Sequence, residues 1–237
     1  MSEYPESDQK TERPHHHEIF RPAEAPGWLA WKICRYLARF VGSVFFPYFR
    51  VWGETDLNHG GQIFIARDFG ILTWITALRV FKRPVRLVFL SEKHDQRWFN
   101  LANSSGLAPL RLSGPIDQNF LMLEHMADAG EKLLVVISRT ADCNIEELVR
   151  RLRATHSLRV LFMAISGAAG ALPESAVVPR AVPVSVFCGL PHYAANAAGS
   201  AFAELDFLEN AIKDLDIDEL PSIFFNHRRN ISKTTSA

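Results

Sequence analysis

Nine histidines and 26 acidic side chains offer material for acid–base catalysis, but spacing decides whether any two of them can meet. His94-Asp95 and Glu124-His125 are neighbours in sequence, and neighbours on a helix do not face each other, so neither pair is a ready dyad. Asn58-His59 lies inside Asp56-Leu57-Asn58-His59-Gly60-Gly61, where turn chemistry accounts for both residues. Pro14-His15-His16-His17-Glu18 could ligate a metal, but three adjacent histidines on a polar tail hold one weakly, and a solvated tail is the simpler expectation. The three cysteines, Cys34, Cys143 and Cys188, are odd in number and unevenly spaced. They form neither a disulfide framework nor a zinc motif, which points to a reducing compartment. Gly167-Ala168-Ala169-Gly170-Ala171 lacks the Lys-Ser/Thr of a phosphate loop, and there is no Gly-x-Ser-x-Gly or dinucleotide motif. No cofactor and no resident metal is therefore expected.

Charge is more suggestive than any dyad. The 26 basic and 26 acidic residues cancel, yet Arg79, Lys82, Arg83 and Arg86 cluster in a stretch with no acid between Asp68 and Glu92. Trp74, Phe81 and Phe89 interleave with them. Four cations in a neutral chain make a poor footprint for nucleic acid, which is not expected as a partner. Anionic headgroups or an acidic acyl carrier suit the cluster better, with a plain solvated rim as the alternative.

These residues must be positioned by the elements around them. Residues 1–27 carry no apolar run and are expected to be a disordered tail rather than an export signal. Trp28 to Phe46 predicts a helix. At about 100° per residue, Lys32, Arg35 and Arg39 share a narrow face beside Gly42 and Ser43, opposite Leu29, Ile33, Leu37, Phe40, Val41 and Val44. Three cations aligned near its middle argue against a span. Two placements remain open: a helix in the membrane interface with its basic stripe toward headgroups, or a helix packed on the core with that stripe solvated.

Beyond it, Phe49–Gly53, Gln62–Ala66, Val85–Leu90, Lys132–Ser138, Leu158–Ile165 and Ala181–Cys188 predict strands. Phe69–Phe81, Arg97–Ser104, Ile116–Ala129, Ile145–Thr155 and Ala201–Leu215 predict helices. Strands alternating with helices imply a single α/β domain over 28–229, with a largely parallel central sheet flanked by helices, and a frayed end at 230–237. At 48% hydrophobic and 22% charged residues over 237, the chain has the balance of an ordinary globular domain and buries a core without staples.

Several blocks, in order, resemble the lysophospholipid (1-acylglycerol-3-phosphate) acyltransferase family. Val51-Trp52-Gly53-Glu54-Thr55-Asp56-Leu57 is similar to the family's first strand, Val-x-Gly-x-Glu-Asn-Leu, and the strand Ile63–Ala66 follows it. Gly106-Leu107-Ala108-Pro109-Leu110-Arg111 resembles the second block, a Gly followed shortly by an Arg. Ala181-Val182-Pro183-Val184 with Gly189 looks like the family's Ile-Pro-Val strand, and Gly130 before Leu133–Ile137 matches in place. The likeness covers roughly residues 28–193.

The resemblance implies acyl transfer from a thioester donor to a lysophospholipid hydroxyl. In the family, an Asn-His pair, four further residues and an Asp provide the general base and its orienting carboxylate. Here Arg67 stands for the Asn, Asp68 for the His and Thr73 for the Asp. The family's Phe-Pro-Glu-Gly is replaced by Ile137-Ser138-Arg139-Thr140, so a cation, Arg139, stands where the family has an acid. Losing a general base costs roughly 10²–10⁴-fold, so Asp68 and Thr73 mark catalytic positions expected to be inactive. Arg111, Arg139 and Arg67 are the expected substrate contacts, and Lys32, Arg35 and Arg39 the expected membrane contacts. Arg111 could equally be a solvated rim residue.

The expected function is a lipid- or acyl-carrier-binding accessory protein on the cytoplasmic, inner face of a membrane, taking acyl carrier protein or acyl-CoA as partner. The alternatives are an active acyltransferase with a rearranged site and a structural partner of an active homologue or of the membrane.

Overall fold

The computed structural model describes residues 26–46, 48–53, 62–90, 96–138, 142–155, 158–168, 183–189 and 200–214. Residues 1–25 of the tail expected at 1–27, the end expected at 230–237, the pairs Asn58-His59 and His94-Asp95, and Arg139 lie outside them.

Among the described residues, seven strands and six helices make one α/β domain. In chain order they are α1 (Trp28–Phe45), β1 (Phe49–Gly53), β2 (Gln62–Arg67), α2 (Ile71–Val80), β3 (Arg86–Phe89), α3 (Gln96–Ser104), β4 (Leu110–Arg111), α4 (Ile116–Asp128), β5 (Leu133–Ile137), α5 (Cys143–Ala154), β6 (Arg159–Ser166), β7 (Val184–Gly189) and α6 (Ala201–Asp214). The sheet runs β1-β7-β6-β2-β5-β3-β4, all neighbours parallel except β6 and β7, which are antiparallel. The central strands β2, β5 and β6 are apolar on both faces, as a parallel sheet covered on both sides requires.

Alternation along the strands sorts the core into two layers. Phe64, Ala66, Leu87, Phe89, Leu134, Val136, Leu161 and Met163 pack toward Trp31 and Ala38 of α1, Leu72 and Leu78 of α2, and Ala102 of α3. Ile63, Ile65, Val88, Leu133, Val135 and Phe162 pack toward Leu123 of α4, Leu148 and Leu152 of α5, and Leu205 and Leu208 of α6. Among the described residues, three helices thus cover each face.

Four local departures from the sequence expectation have physical reasons. α2 begins at Ile71 rather than Phe69, because the Asp68 carboxylate accepts the Gly70 N–H at 2.8 Å and Gly70 takes φ +62°, a turn instead of a helical start. α5 begins two residues early, where Asp142 caps the Asn144 N–H at 2.8 Å. β4 is only two residues long, below the reach of any alternation pattern.

α1 is the fourth. Its buried ridge is Trp31, Ala38 and Gly42, whereas Leu29, Ile33, Tyr36, Leu37, Phe40 and Val44 are each at least 53% exposed. The small residues at 38 and 42 let the helix seat closely on α2, so the core takes the narrow face and leaves the broad apolar one outward. Among the described residues no helix is long and apolar enough to cross a membrane.

The glycine of the Val51-Trp52-Gly53 block ends β1 at φ +86°, and a Cβ there would lie 2.0 Å from the Cys188 carbonyl oxygen of β7. Only glycine allows that approach.

Candidate functional site

The carboxyl ends of the strands gather the residues that the sequence singled out. Asp68 follows β2, Ser138 follows β5, and Arg111 closes β4. In register, Ala66 lies beside Val136, Val136 beside Phe89, and Phe89 beside Arg111. Three strand spacings therefore separate β2 from Arg111, roughly 14 Å.

Asp68 and Thr73 occupy the turn from β2 into α2, and both side chains help to close it. The Thr73 hydroxyl accepts the Phe69 N–H at 2.8 Å and donates to the Arg67 carbonyl at 3.2 Å. Thr73 is fully buried, so these bonds satisfy main-chain groups that water cannot reach. Asp68 is half-buried, with one carboxylate oxygen on the Gly70 N–H and its own N–H donated to the Ile137 carbonyl at 2.8 Å. A carboxylate and a hydroxyl closing a turn make no base–orienter pair. The sole histidine among the described residues, His125, is exposed in the last turn of α4, on the other layer.

Arg67 points to the opposite face of the sheet from Arg111. Its guanidinium meets Asp206 at 2.6 Å and Glu209 at 3.3 Å, and donates to the Phe202 carbonyl at 2.9 Å, all on α6. α6 is held at its other contact by Glu146 of α5, whose carboxylate accepts the Ala201 and Phe202 N–H groups at 2.7 and 3.2 Å. That places a negative charge on the positive end of the α6 dipole. The structure brings Asp68 and Thr73 together in one turn and sets Arg67 apart from Arg111.

Arg111 stands at the end of a row of aromatic rings. Its guanidinium carbon lies 4.8 Å from the Phe99 ring centroid. Phe99 meets Phe89 edge-on at 6.1 Å, and Phe89 stacks on Trp74 at 5.6 Å. The ring faces favour the cation without cancelling its charge. The loop before Arg111 is tied to α1: Gly106 accepts the Gly27 N–H at 3.3 Å, and a Cβ at Gly106 would sit 3.0 Å from that of Ala30. The Gly-to-Arg spacing of this block thus couples α1 to Arg111. Sequence patterns show the Gly and the Arg but not the aromatic row, because Trp74, Phe89 and Phe99 come from three separate elements.

The basic cluster of 79–86 is divided by the fold. Arg86, its side chain 1% exposed, makes a two-pronged pair with Glu131 at 2.6 and 3.2 Å. Lys82 and Arg83 are exposed, and Arg79 leans against α1. Of the helix cations, Lys32 and Arg39 are exposed and Arg35 half-buried, with Lys32 3.6 Å above the Trp28 ring. Among the described residues no three His, Cys, Asp or Glu side chains group to hold a metal.

No family model and no curated protein matches the chain. A solved structure does: the chain is similar to the crystal structure of the 1-acyl-sn-glycerophosphate (LPA) acyltransferase PlsC from Thermotoga maritima, with 11% identity over 79% of this chain and 80% of that one, at a TM-score of 0.54. The fold is acyltransferase-like. At this identity the likeness is one of architecture.

Proposed function

We propose that the chain is a glycerolipid-acyltransferase-like protein of a membrane surface that binds a lipid or an acyl carrier as an accessory or regulatory subunit, without transferring the acyl group. The observation that carries this is the Thr73 hydroxyl, spent on the Phe69 N–H and the Arg67 carbonyl in the turn where a base and its orienting acid would stand. With the Asp68 carboxylate closing the same turn, the turn holds no imidazole to take a proton from an acceptor hydroxyl. Arg111, backed by aromatic rings, is the contact for a headgroup or phosphopantetheine phosphate, with Arg139 as its second cation. Arg67 acts as the tie between β2 and α6, and its contact with substrate is not part of this reading.

The α1 helix carries the attachment. Six large side chains at least half exposed along one face lose about 1 kcal/mol each by staying in water, and an interfacial position recovers it. Lys32 and Arg39 flank that face at headgroup level, consistent with the cytoplasmic leaflet of an inner membrane.

A rearranged active site centred on Asp68 is the second reading, favoured by the partial exposure of Asp68 at the strand ends. Native mass spectrometry of the purified full chain tests the main reading. Retained phospholipid or acylated carrier supports it; a bare polypeptide after gentle extraction from membranes favours a purely structural partner.

A further inference from the structure

Along α1, residues 35, 39 and 42 lie at i, i+4 and i+7, one ridge roughly 10 Å long. Arg79, from the last turn of α2, fills the third place on that ridge. A Cβ at Gly42 would lie 2.4 Å from Arg79 Nη1, so the guanidinium rests directly on the glycine. Its other side faces the Phe49 ring at 3.9 Å. Three guanidinium groups therefore share one flank of the helix.

Among the described residues no carboxylate is paired with them. There is no acid from residue 26 to residue 53 and none from 69 to 91. Arg79 Nη1 and Arg35 Nε are buried and have no hydrogen-bond partner among the described residues. A buried donor left unpaired costs about 1–3 kcal/mol, which a bound acceptor would remove. Arg35 and Arg79 are both held below the usual guanidinium range, by burial first and by Arg39 second. Crowding of like charges around open donors is the arrangement that an anion stabilises. The ridge lies beside the outward stripe of Leu29, Ile33, Tyr36, Leu37, Phe40 and Val44, about two-fifths of a turn round the helix from centre to centre.

We propose that Arg35, Arg39 and Arg79 form a phosphate-binding site whose ligand is the headgroup phosphate of an anionic phospholipid in the leaflet that the α1 stripe enters. The proposal rests on the membrane reading above, and it is separate from Arg111, which sits at the carboxyl edge of the sheet. Gly42 is its keystone. Any side chain there would displace Arg79 from the ridge.

The test uses the full chain and vesicles of phosphatidylcholine alone or with about one-third phosphatidylglycerol. Arg39→Ala and Arg79→Gln should each weaken binding to the mixed vesicles about tenfold, and leave binding to neutral vesicles unchanged. Arg153→Ala, which removes equal charge from α5 on the other layer, should change neither. Equal losses for all three variants would make the effect diffuse electrostatics and overturn the site. Phe40→Ser probes the underlying attachment: if it fails to weaken binding to either vesicle, the membrane reading itself falls. A soluble arm decides the ligand. Dihexanoyl phosphatidylglycerol below its micelle threshold should protect the parent against thermal unfolding, and the Arg79→Gln variant should lose that protection. Equal protection by inorganic phosphate at the same concentration would overturn the lipid assignment, and no protection by either would overturn the site.

Discussion

The Arg67 guanidinium meets the Asp206 carboxylate at 2.6 Å, joining the last residue of a central strand to a helix far along the chain. With Glu209 and the Phe202 carbonyl it fastens α6 over the sheet face opposite Arg111. A position that would border the site in the acyltransferase family is here part of the frame. Arg67→Ala removes all three contacts to α6 and should cost roughly 1–3 kcal/mol in urea unfolding. Amide exchange should quicken in 201–214 more than in α2. Unchanged exchange in α6 would remove the tie.

Thr73→Val keeps the shape and deletes the hydroxyl that accepts the Phe69 N–H and donates to the Arg67 carbonyl. The expected loss is about 1–3 kcal/mol, and Thr73→Ser should recover most of it. If Val and Ser behave alike in denaturation, the hydroxyl is not what holds the turn.

Gly53→Ala puts a methyl 2.0 Å from the Cys188 carbonyl oxygen at a positive φ. About 2 kcal/mol or more of destabilisation follows from strain and clash together. Thermal melts read this directly, and a neutral result would mean that β1 is free to shift away from β7.

Thiol chemistry should separate the three cysteines. Cys143 is exposed, Cys34 is half-buried with its thiol pushed above the ordinary range by burial, and fully buried Cys188 is pushed up much further. A raised pKa leaves less thiolate at a given pH, so reactivity at about pH 8 should fall in the order Cys143, Cys34, Cys188. Cys188 should react only on unfolding. Mass mapping after a short pulse of iodoacetamide checks the order, and early labelling of Cys188 would contradict the packing of β7.

Much of the architecture was legible from local pattern. Apolar runs such as Leu133–Ile137 and punctuation such as Gly130 located the strands, and alternation with helices gave a mainly parallel sheet. The antiparallel insertion of β7 between β1 and β6 was not legible, since pairing direction depends on a long connection rather than on residue pattern. On α1 the period was right, yet it did not say which side the core would choose. Ala38 and Gly42 allow a closer approach than Phe40 or Leu37, and closeness won over area. At the site, the sequence located Asp68, Thr73 and Arg111 but not what their atoms bind. The Arg67–Glu209 pair spans 142 residues, beyond any local signal.

The central claim is that the β2–α2 turn serves the fold and performs no acyl transfer. It is tested most directly by incubating purified protein with labelled acyl-CoA or acyl carrier protein and lysophosphatidate, in anionic vesicles at neutral pH. The account predicts product no faster than the protein-free control, and no change on Asp68→Ala. Turnover well above that control, abolished by Asp68→Ala in a variant that still melts cooperatively, would show a rebuilt active site and contradict it.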